Sequence, residues 1–163
     1  MRKIVLGAAA VAALATSPAF AATATNTMPV SVNVINSCTV SASPMSFGSL
    51  SSVGGTNVDT SADMSVNCTI NAAYDVAVSL GANASTGTQR YLVSTTDSTK
   101  QIPYNLYSDA LRTKAWGPSS PDTVAGSGTG SAQTLTAYGR IPSSATAVPA
   151  GSYKDTVTIT VTF

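Results

Sequence analysis

The sequence predicts an all-β protein, and its composition and its patterning both support that fold class. Charged residues make up only 9% of the 163 positions, and all seven acidic residues are Asp. Because Glu and Lys normally cover the exposed faces of helices, a chain so poor in both is unlike a helical protein. Several segments instead alternate apolar and polar residues, and Gly-, Pro- and Ser-rich clusters separate them. This pattern is typical of a single antiparallel sandwich or barrel.

The N-terminus predicts an export signal. Residues 1–3 include two basic side chains, and residues 4–15 are apolar but fewer than the ~18 to 20 that span a bilayer. Pro18 ends this run, and the small residues of Ala19-Phe20-Ala21 predict cleavage after Ala21. A buried or lipid-embedded helix is the alternative. We therefore expect residues 1–21 to be a signal peptide that directs export of the chain.

The two cysteines are expected to form a disulfide. Export would place Cys38 and Cys68 in an oxidising compartment, where they can pair. Closing the loop of thirty positions between them is worth ~3 to 4 kcal/mol in the chain-entropy treatment. A catalytic thiol is the alternative, but the sequence has no His that could activate it.

The composition excludes several classes of function. Without His there is no Ser-His-Asp nucleophile, no histidine-based zinc site and no imidazole acid or base. A formal net charge of +1 is too small to hold a polyanion by counterion release, so nucleic acid is not an expected partner. We therefore predict no catalytic residue, no metal ligand and no cofactor, and we expect that the protein is not an enzyme.

Four alternating segments predict strands, in chain order around residues 28–34, 74–80, 102–106 and 157–163. The last is rich in β-branched residues and gives the clearest strand pattern. The longest irregular stretch, residues 109–131, is predicted to be a surface loop. The apolar positions of the four segments are Met28, Val30, Val32 and Val34; Tyr74, Val76, Val78 and Leu80; Ile102, Tyr104 and Leu106; and Val157, Ile159, Val161 and Phe163.

The first and the last of these segments carry apolar faces with no evident partner strand. If they pair within one molecule, they close a monomeric sandwich, and if they pair between molecules, they build a fibre. The first segment could also be an ordinary first strand that packs in its own domain. The residue pattern leaves these possibilities open.

Two further features admit a binding role or a structural one. Arg140, close to Tyr138, could belong to a small-ligand site, but it could equally order the following turn or pair with a surface Asp. Trp116, Tyr74, Tyr104 and Tyr138 could form an aromatic platform for a sugar. Since the tyrosines lie within strand patterns, core packing explains them first.

Several motifs, taken in their order and spacing, carry a family resemblance. They are Cys38-Thr39-Val40, Phe47-Gly48, Cys68, Tyr104-Asn105-Leu106-Tyr107, Trp116-Gly117, the run from Leu135 to Pro142, and Pro149-Ala150-Gly151-Ser152-Tyr153 followed by Asp155. With them the chain resembles, from Cys38 to Phe163, the spore coat protein U domain of archaic, Csu-type chaperone-usher pilus subunits. Ala137 departs from the pattern, since a larger β-branched residue is common there in the family.

The resemblance implies an incomplete immunoglobulin-like β-sandwich that lacks its last strand and has an N-terminal donor-strand extension. A periplasmic chaperone would fill the vacancy first, and the extension of the next subunit would fill it later. Residues 22–35 would be the donor, and residues 36–163 would form the pilin domain. The donor side chains would be Met28, Val30, Val32 and Val34, and the edge strand of the acceptor groove would carry Val157, Ile159, Val161 and Phe163.

The resemblance also implies a function and partners. The expected function is that of a rod or minor structural subunit that polymerises by donor-strand exchange and supports adhesion and biofilm formation at the cell surface. Its partners would be neighbouring pilin subunits, a periplasmic chaperone and an outer-membrane usher. The alternative is a secreted monomeric β-sandwich that binds carbohydrate or coats the cell surface.

Overall fold

Nine strands and no helix form the regular structure of residues 20–84 and 87–163, which are the residues that the computed structural model describes. Within these ranges no helical segment has the length and hydropathy of a transmembrane span. The predicted signal peptide lies outside the described residues, except for its last two positions. The strands are β1 Cys38–Ala42, β2 Val58–Cys68, β3 Ala73–Val78, β4 Arg90–Ser94, β5 Gln101–Tyr107, β6 Val124–Ser127, β7 Ala132–Ile141, β8 Tyr153–Lys154 and β9 Ile159–Thr162.

The strands form two antiparallel sheets. The larger sheet has six strands in the order β1-β2-β7-β5-β4-β8, and the smaller has three in the order β6-β3-β9. The longest pairing joins β2 to β7, from Val58 opposite Ile141 to Asn67 opposite Ala132. The prediction of an all-β sandwich is therefore confirmed.

One apolar core lies between the two sheets and follows the period of the strands. The inward side chains of β3 are Tyr74, Val76 and Val78, and all three are buried. The inward positions of β5, which include Ile102 and Leu106, are buried in the same way. Both predicted strands are thus confirmed, because alternate residues of a strand face opposite sides of its sheet.

Two features outside the alternating segments complete the core. Trp116, from the connection between β5 and β6, is 1% exposed, and its indole N–H donates a 2.9 Å hydrogen bond to the carbonyl of Val76. Cys38 and Cys68 lie opposite each other in the β1–β2 pairing and form the predicted disulfide. The structure therefore confirms the pairing that the export argument predicted.

The last part of the chain changes sheets. β8 pairs with β4 at the edge of the larger sheet, and β9 pairs with β3 at the edge of the smaller sheet. Residues 155–158 connect the two strands, and we call them the crossover. The predicted strand 157–163 is accordingly shorter in the structure, because the crossover uses its first two residues.

Two predicted segments differ from expectation. Residues 28–34 form no strand, so the structure gives no support to an ordinary first strand there. The stretch 109–131 is not wholly irregular, because it contains β6. The Val-Ala-Gly-Ser sequence of β6 lacks the alternation that reveals a strand. Gly126 in β6 is required by packing, since a Cβ there would collide with the ring of Tyr74.

Candidate functional site

The candidate site is an open edge that runs along the last two strands. β1 and β8 are the outer strands of the larger sheet, and β9 is an outer strand of the smaller sheet. Among the strands of the described chain, only β3 pairs with β9. The open side of β9 and of its approach faces the segment 42–47, which begins at the end of β1, and we call the space between them the groove.

The main chain of β9 presents hydrogen-bonding groups to the groove. The carbonyl of Thr158 accepts from Ser79 N at 2.8 Å, and that of Thr156 accepts from Ala82 N at 2.8 Å, so the even-numbered residues bond toward β3 and the turn that follows it. Successive residues of a strand direct their N–H and C=O groups to opposite sides. The odd-numbered residues, such as Ile159 and Val161, therefore direct theirs to the open edge.

The groove contains an apolar cavity of about 310 Å³. One wall consists of residues 42–45 and Phe47, and the other consists of residues 155–157 and Ile159. The cavity floor is formed by inward side chains of the core. These floor residues include Met64, Val78, Leu92, Tyr104, Leu106 and Ala137.

A second cavity of about 570 Å³ borders the first. It lies between the connection 46–53 and the segment 148–155, and it reaches the core side chains Ile102 and Ile141. The two cavities share Met45, Phe47, Leu92 and Asp155 as lining residues. The groove is therefore longer than the first cavity alone.

The wall formed by Met45 and Phe47 depends on a glycine in β7. A Cβ at Gly139 would lie 2.7 Å from the Sδ of Met45 and 3.0 Å from the Cζ of Phe47. Phe47 also makes an edge-on contact with the ring of Tyr104, with ring centroids 6.2 Å apart. Any side chain at position 139 would therefore displace this wall.

A buried arginine fixes the strands behind the groove. Arg90 is 5% exposed, and its guanidinium donates to the carbonyls of Ser79, Val78 and Trp116 at 2.9, 3.0 and 2.8 Å. Burial lowers the pKa of Arg90 from its ordinary value. These three bonds join β4 to the end of β3 and to the Trp116 segment.

The predicted edge residues lie along β9 and its approach. Val157 and Ile159 line the first cavity, and Val161 continues the same face. All three pack against the core yet stay only half-buried, and Phe163 is 55% exposed. Apolar side chains on the inward face of a strand are normally buried. Those of β9 remain partly exposed, so the described chain does not fully cover the core along this strand.

The predicted donor residues lie in the segment 20–37, which forms no strand. Met28, Val30, Val32 and Val34 are 84%, 85%, 89% and 75% exposed. Exposed groups of large apolar side chains are typical of interaction sites. The sequence predicted both sets, but it did not predict the opposite wall at Met45 and Phe47, where no alternation indicates a strand.

The other candidate residues prove to be structural. Trp116, Tyr74 and Tyr104 are buried, and the half-buried ring of Tyr138 has the guanidinium carbon of Arg112 5.6 Å from its centroid, so the four rings form no common platform. Arg140 forms the ion pair with a surface Asp, because its Nε and Nη2 donate to both carboxylate oxygens of Asp59 at 2.7 and 2.8 Å. In the part of the chain that the structure describes, no three acidic, Cys or His side chains cluster as metal ligands would.

Comparison with known proteins places this fold in a family. The family model described as Spore Coat Protein U domain matches residues 24–160. The chain belongs to the spore coat protein U domain family. It is also 30% identical to Protein U of Myxococcus xanthus over 168 residues, which cover 95% of this chain and 93% of that protein.

A solved structure shares the fold of this spore coat protein U domain. The CsuC–CsuE chaperone–tip adhesion subunit pre-assembly complex, from the archaic chaperone-usher Csu pili of Acinetobacter baumannii, contains a chain that matches with a TM-score of 0.58 at 22% identity. The match covers 80% of this chain and 40% of that chain. The chain thus spans less than half the length of the solved protein that it resembles.

Proposed function

We propose that this protein is a structural subunit of an archaic chaperone-usher pilus and polymerises by donor-strand exchange. The observation that carries the proposal is the open edge of β9, where apolar side chains face a groove and the adjoining main-chain groups face no strand of the described chain. The occupant that we assign is the extension 22–35 of a second copy. An added strand of this kind gains affinity from main-chain bonds and specificity from alternate side chains.

The donor and the acceptor edge match in length and period. Each carries four apolar side chains at every second position, Met28 to Val34 on the donor and Val157 to Phe163 on the edge. At ~3.3 Å per residue, each set covers roughly 20 Å. A slip of one residue would turn the polar face of the donor toward the groove, so the pattern specifies the register.

The position of Pro29 also suits this arrangement. In paired strands, side chains on the same face lie opposite one another. If the donor runs antiparallel to β9 and places Val30 and Val32 in the groove beside Ile159, the main-chain groups of these valines bond to β9. The nitrogen of Pro29 then points away from β9, so its missing N–H removes no hydrogen bond from this pairing.

The remaining parts of the proposal follow from this assembly. Residues 1–21 are the signal peptide, 22–35 the donor extension and 36–163 the pilin domain. A periplasmic chaperone covers the groove before assembly, an outer-membrane usher receives the subunit, and the product is a pilus at the cell surface that supports adhesion and biofilm formation. The role is that of a rod or minor subunit, and it requires neither catalysis nor a cofactor.

Replacement of residues 22–34 by a Gly/Ser segment of equal length tests the proposal. The variant should be produced with the periplasmic chaperone and compared with the wild-type chain. We expect a chaperone-bound subunit that forms no polymer, because the groove remains intact while the donor is lost. Polymer of wild-type length would contradict the donor role. A stable monomer that needs no chaperone and binds a glycan would favour the secreted monomeric sandwich.

A further inference from the structure

We propose that Asp155 is a positioning residue that holds the crossover, and with it the open edge, in place before any strand binds. This inference rests on the proposed function, because it concerns the same groove. Asp155 is the first residue of the crossover, and it lines both cavities of the groove. The sequence motif that contains it gave no indication of this role.

The carboxylate of Asp155 accepts hydrogen bonds on both of its oxygens. The hydroxyl of Tyr104 donates to Oδ2 at 2.7 Å. The main-chain N–H groups of Asn83 and Thr156 donate to Oδ1 at 3.1 and 2.8 Å. One side chain thus joins the crossover to β5 and to the connection between β3 and β4. Burial, together with the bond to Asp155, raises the pKa of Tyr104 far above its ordinary value, so its hydroxyl stays a donor.

The connection that follows β3 is shaped to receive this carboxylate. Asn83 returns the contact, because its side-chain amide donates to the carbonyl of Lys154 at 2.8 Å. Gly81 has φ +91°, and a Cβ at this position would collide with the Asp155 carboxylate. Both the backbone conformation and the close approach require glycine there.

The main-chain contacts of the crossover lie on one side. Asn83 and the main-chain bonds that Thr156 and Thr158 make come from the connection 79–83, whereas the Tyr104 hydroxyl reaches Asp155 from the floor of the groove. The opposite side, which carries Val157 toward the groove, takes no part in them. Asp155 therefore holds the start of the edge in place and leaves its groove side free. Because the crossover is already ordered, it loses less conformational entropy when a strand binds.

Replacement of Asp155 separates positioning from folding. The full-length chain would carry Asp155→Ala, which removes all three accepted bonds, or Asp155→Asn, which retains one oxygen for the two N–H donors. Asp97→Ala is the matched control, since Asp97 also accepts two bonds on one oxygen, from Thr99 N and Oγ1 at 2.9 and 2.6 Å, but does not line the groove. Two quantities would be measured: amide hydrogen exchange along 154–163, and the association and dissociation rates of a labelled peptide of sequence 22–35.

We expect Asp155→Ala to raise exchange at the Thr158 amide, which donates to Ser79 Oγ, and to lower the association rate, each about tenfold, because only chains with the edge in place bind. The dissociation rate and the emission of Trp116 should stay at wild-type values, since a general loss of folding would change both. Asp155→Asn should restore most of the rate, and Asp97→Ala should change neither quantity.

Unchanged exchange in Asp155→Ala would overturn the proposal, as would increased exchange without a slower association. An Asp155→Asn variant as impaired as Asp155→Ala would contradict the role of Oδ1 as the acceptor. A wild-type chain that binds no peptide would instead contradict the donor role of residues 22–35. In that case the exchange result alone would decide whether Asp155 positions the crossover.

Discussion

The donor assignment makes a quantitative prediction at Val32. This side chain is 89% exposed, so Val32→Asp should leave the folding of its own subunit unchanged. In the groove of a neighbour, the variant loses the burial of one Val, worth ~1.5 to 3 kcal/mol. It also places a carboxylate without a partner among apolar side chains, which costs at least ~1 to 3 kcal/mol more. Together these terms weaken the binding of the donor strand by about two to four powers of ten, at about 1.4 kcal/mol for each.

The matched control is Ser31→Asp, which introduces the same charge on the opposite face of the donor. This variant should polymerise nearly as the wild-type chain does, because surface changes of this kind alter stability by about 0.5 kcal/mol or less. Polymer length would be measured by electron microscopy and by gel mobility without heating, with the chaperone co-expressed. Long fibres from Val32→Asp, or equal impairment of both variants, would refute the assigned face of the donor.

Three further predictions concern the pilin domain itself. Replacement of Cys38 and Cys68 by Ala should lower the unfolding free energy by ~3 to 4 kcal/mol, measured by urea denaturation with the reduced wild-type chain as a second reference. Gly139→Ala should cost ~1 to 3 kcal/mol in thermal unfolding because its Cβ would crowd the groove wall, whereas Gly151→Ala, with 3.8 Å to its nearest neighbour, should be tolerated. Hydrogen bonding to a guanidinium lowers the pKa of Asp59, so this carboxylate stabilises the fold above its unfolded pKa of ~3.9 and loses that effect as pH falls through the lower folded value. Asp59→Asn should therefore cost up to ~1 kcal/mol at pH 7, and the difference in urea midpoint should vanish in acid.

The sequence was sufficient to predict the strands whose faces differ most in polarity. β3 and β5 alternate because one face of each meets the core and the other meets solvent, so Val76 and Leu106 could be assigned as buried in advance. The disulfide followed from the compartment, since an exported chain with two cysteines has one possible pairing. These properties depend on local pattern or on composition, which is why a single sequence reveals them.

The shape of the groove and the position of its second wall could not be predicted from the sequence. The alternation at Val157 to Phe163 predicted its edge strand, but its opposite wall, apart from Ala42 at the end of β1, lies outside the strands. Met45 and Phe47 are held there by close packing over Gly139, and such a contact depends on tertiary structure. β6 and β8 were not predicted because strands of two to four residues carry little pattern of their own. β1, β2, β4 and β7 also lie outside the four predicted segments, and the inward positions of β2 include the small or hydroxylated Thr60 and Ala62, which weaken its alternation.

The change of sheets in the last segment explains why the core and the proposed binding site share the same side chains. A chain that leaves the larger sheet after Lys154 and joins the smaller one at Ile159 forms an edge of both sheets. The side chains that complete the core are then the ones that stay half-exposed beside the groove. Binding of a strand there stabilises the acceptor in proportion to the logarithm of donor concentration. A defect in the donor, such as that introduced at Val32, should consequently appear as lower stability of the neighbouring subunit, while the subunit that carries the substitution keeps its own fold.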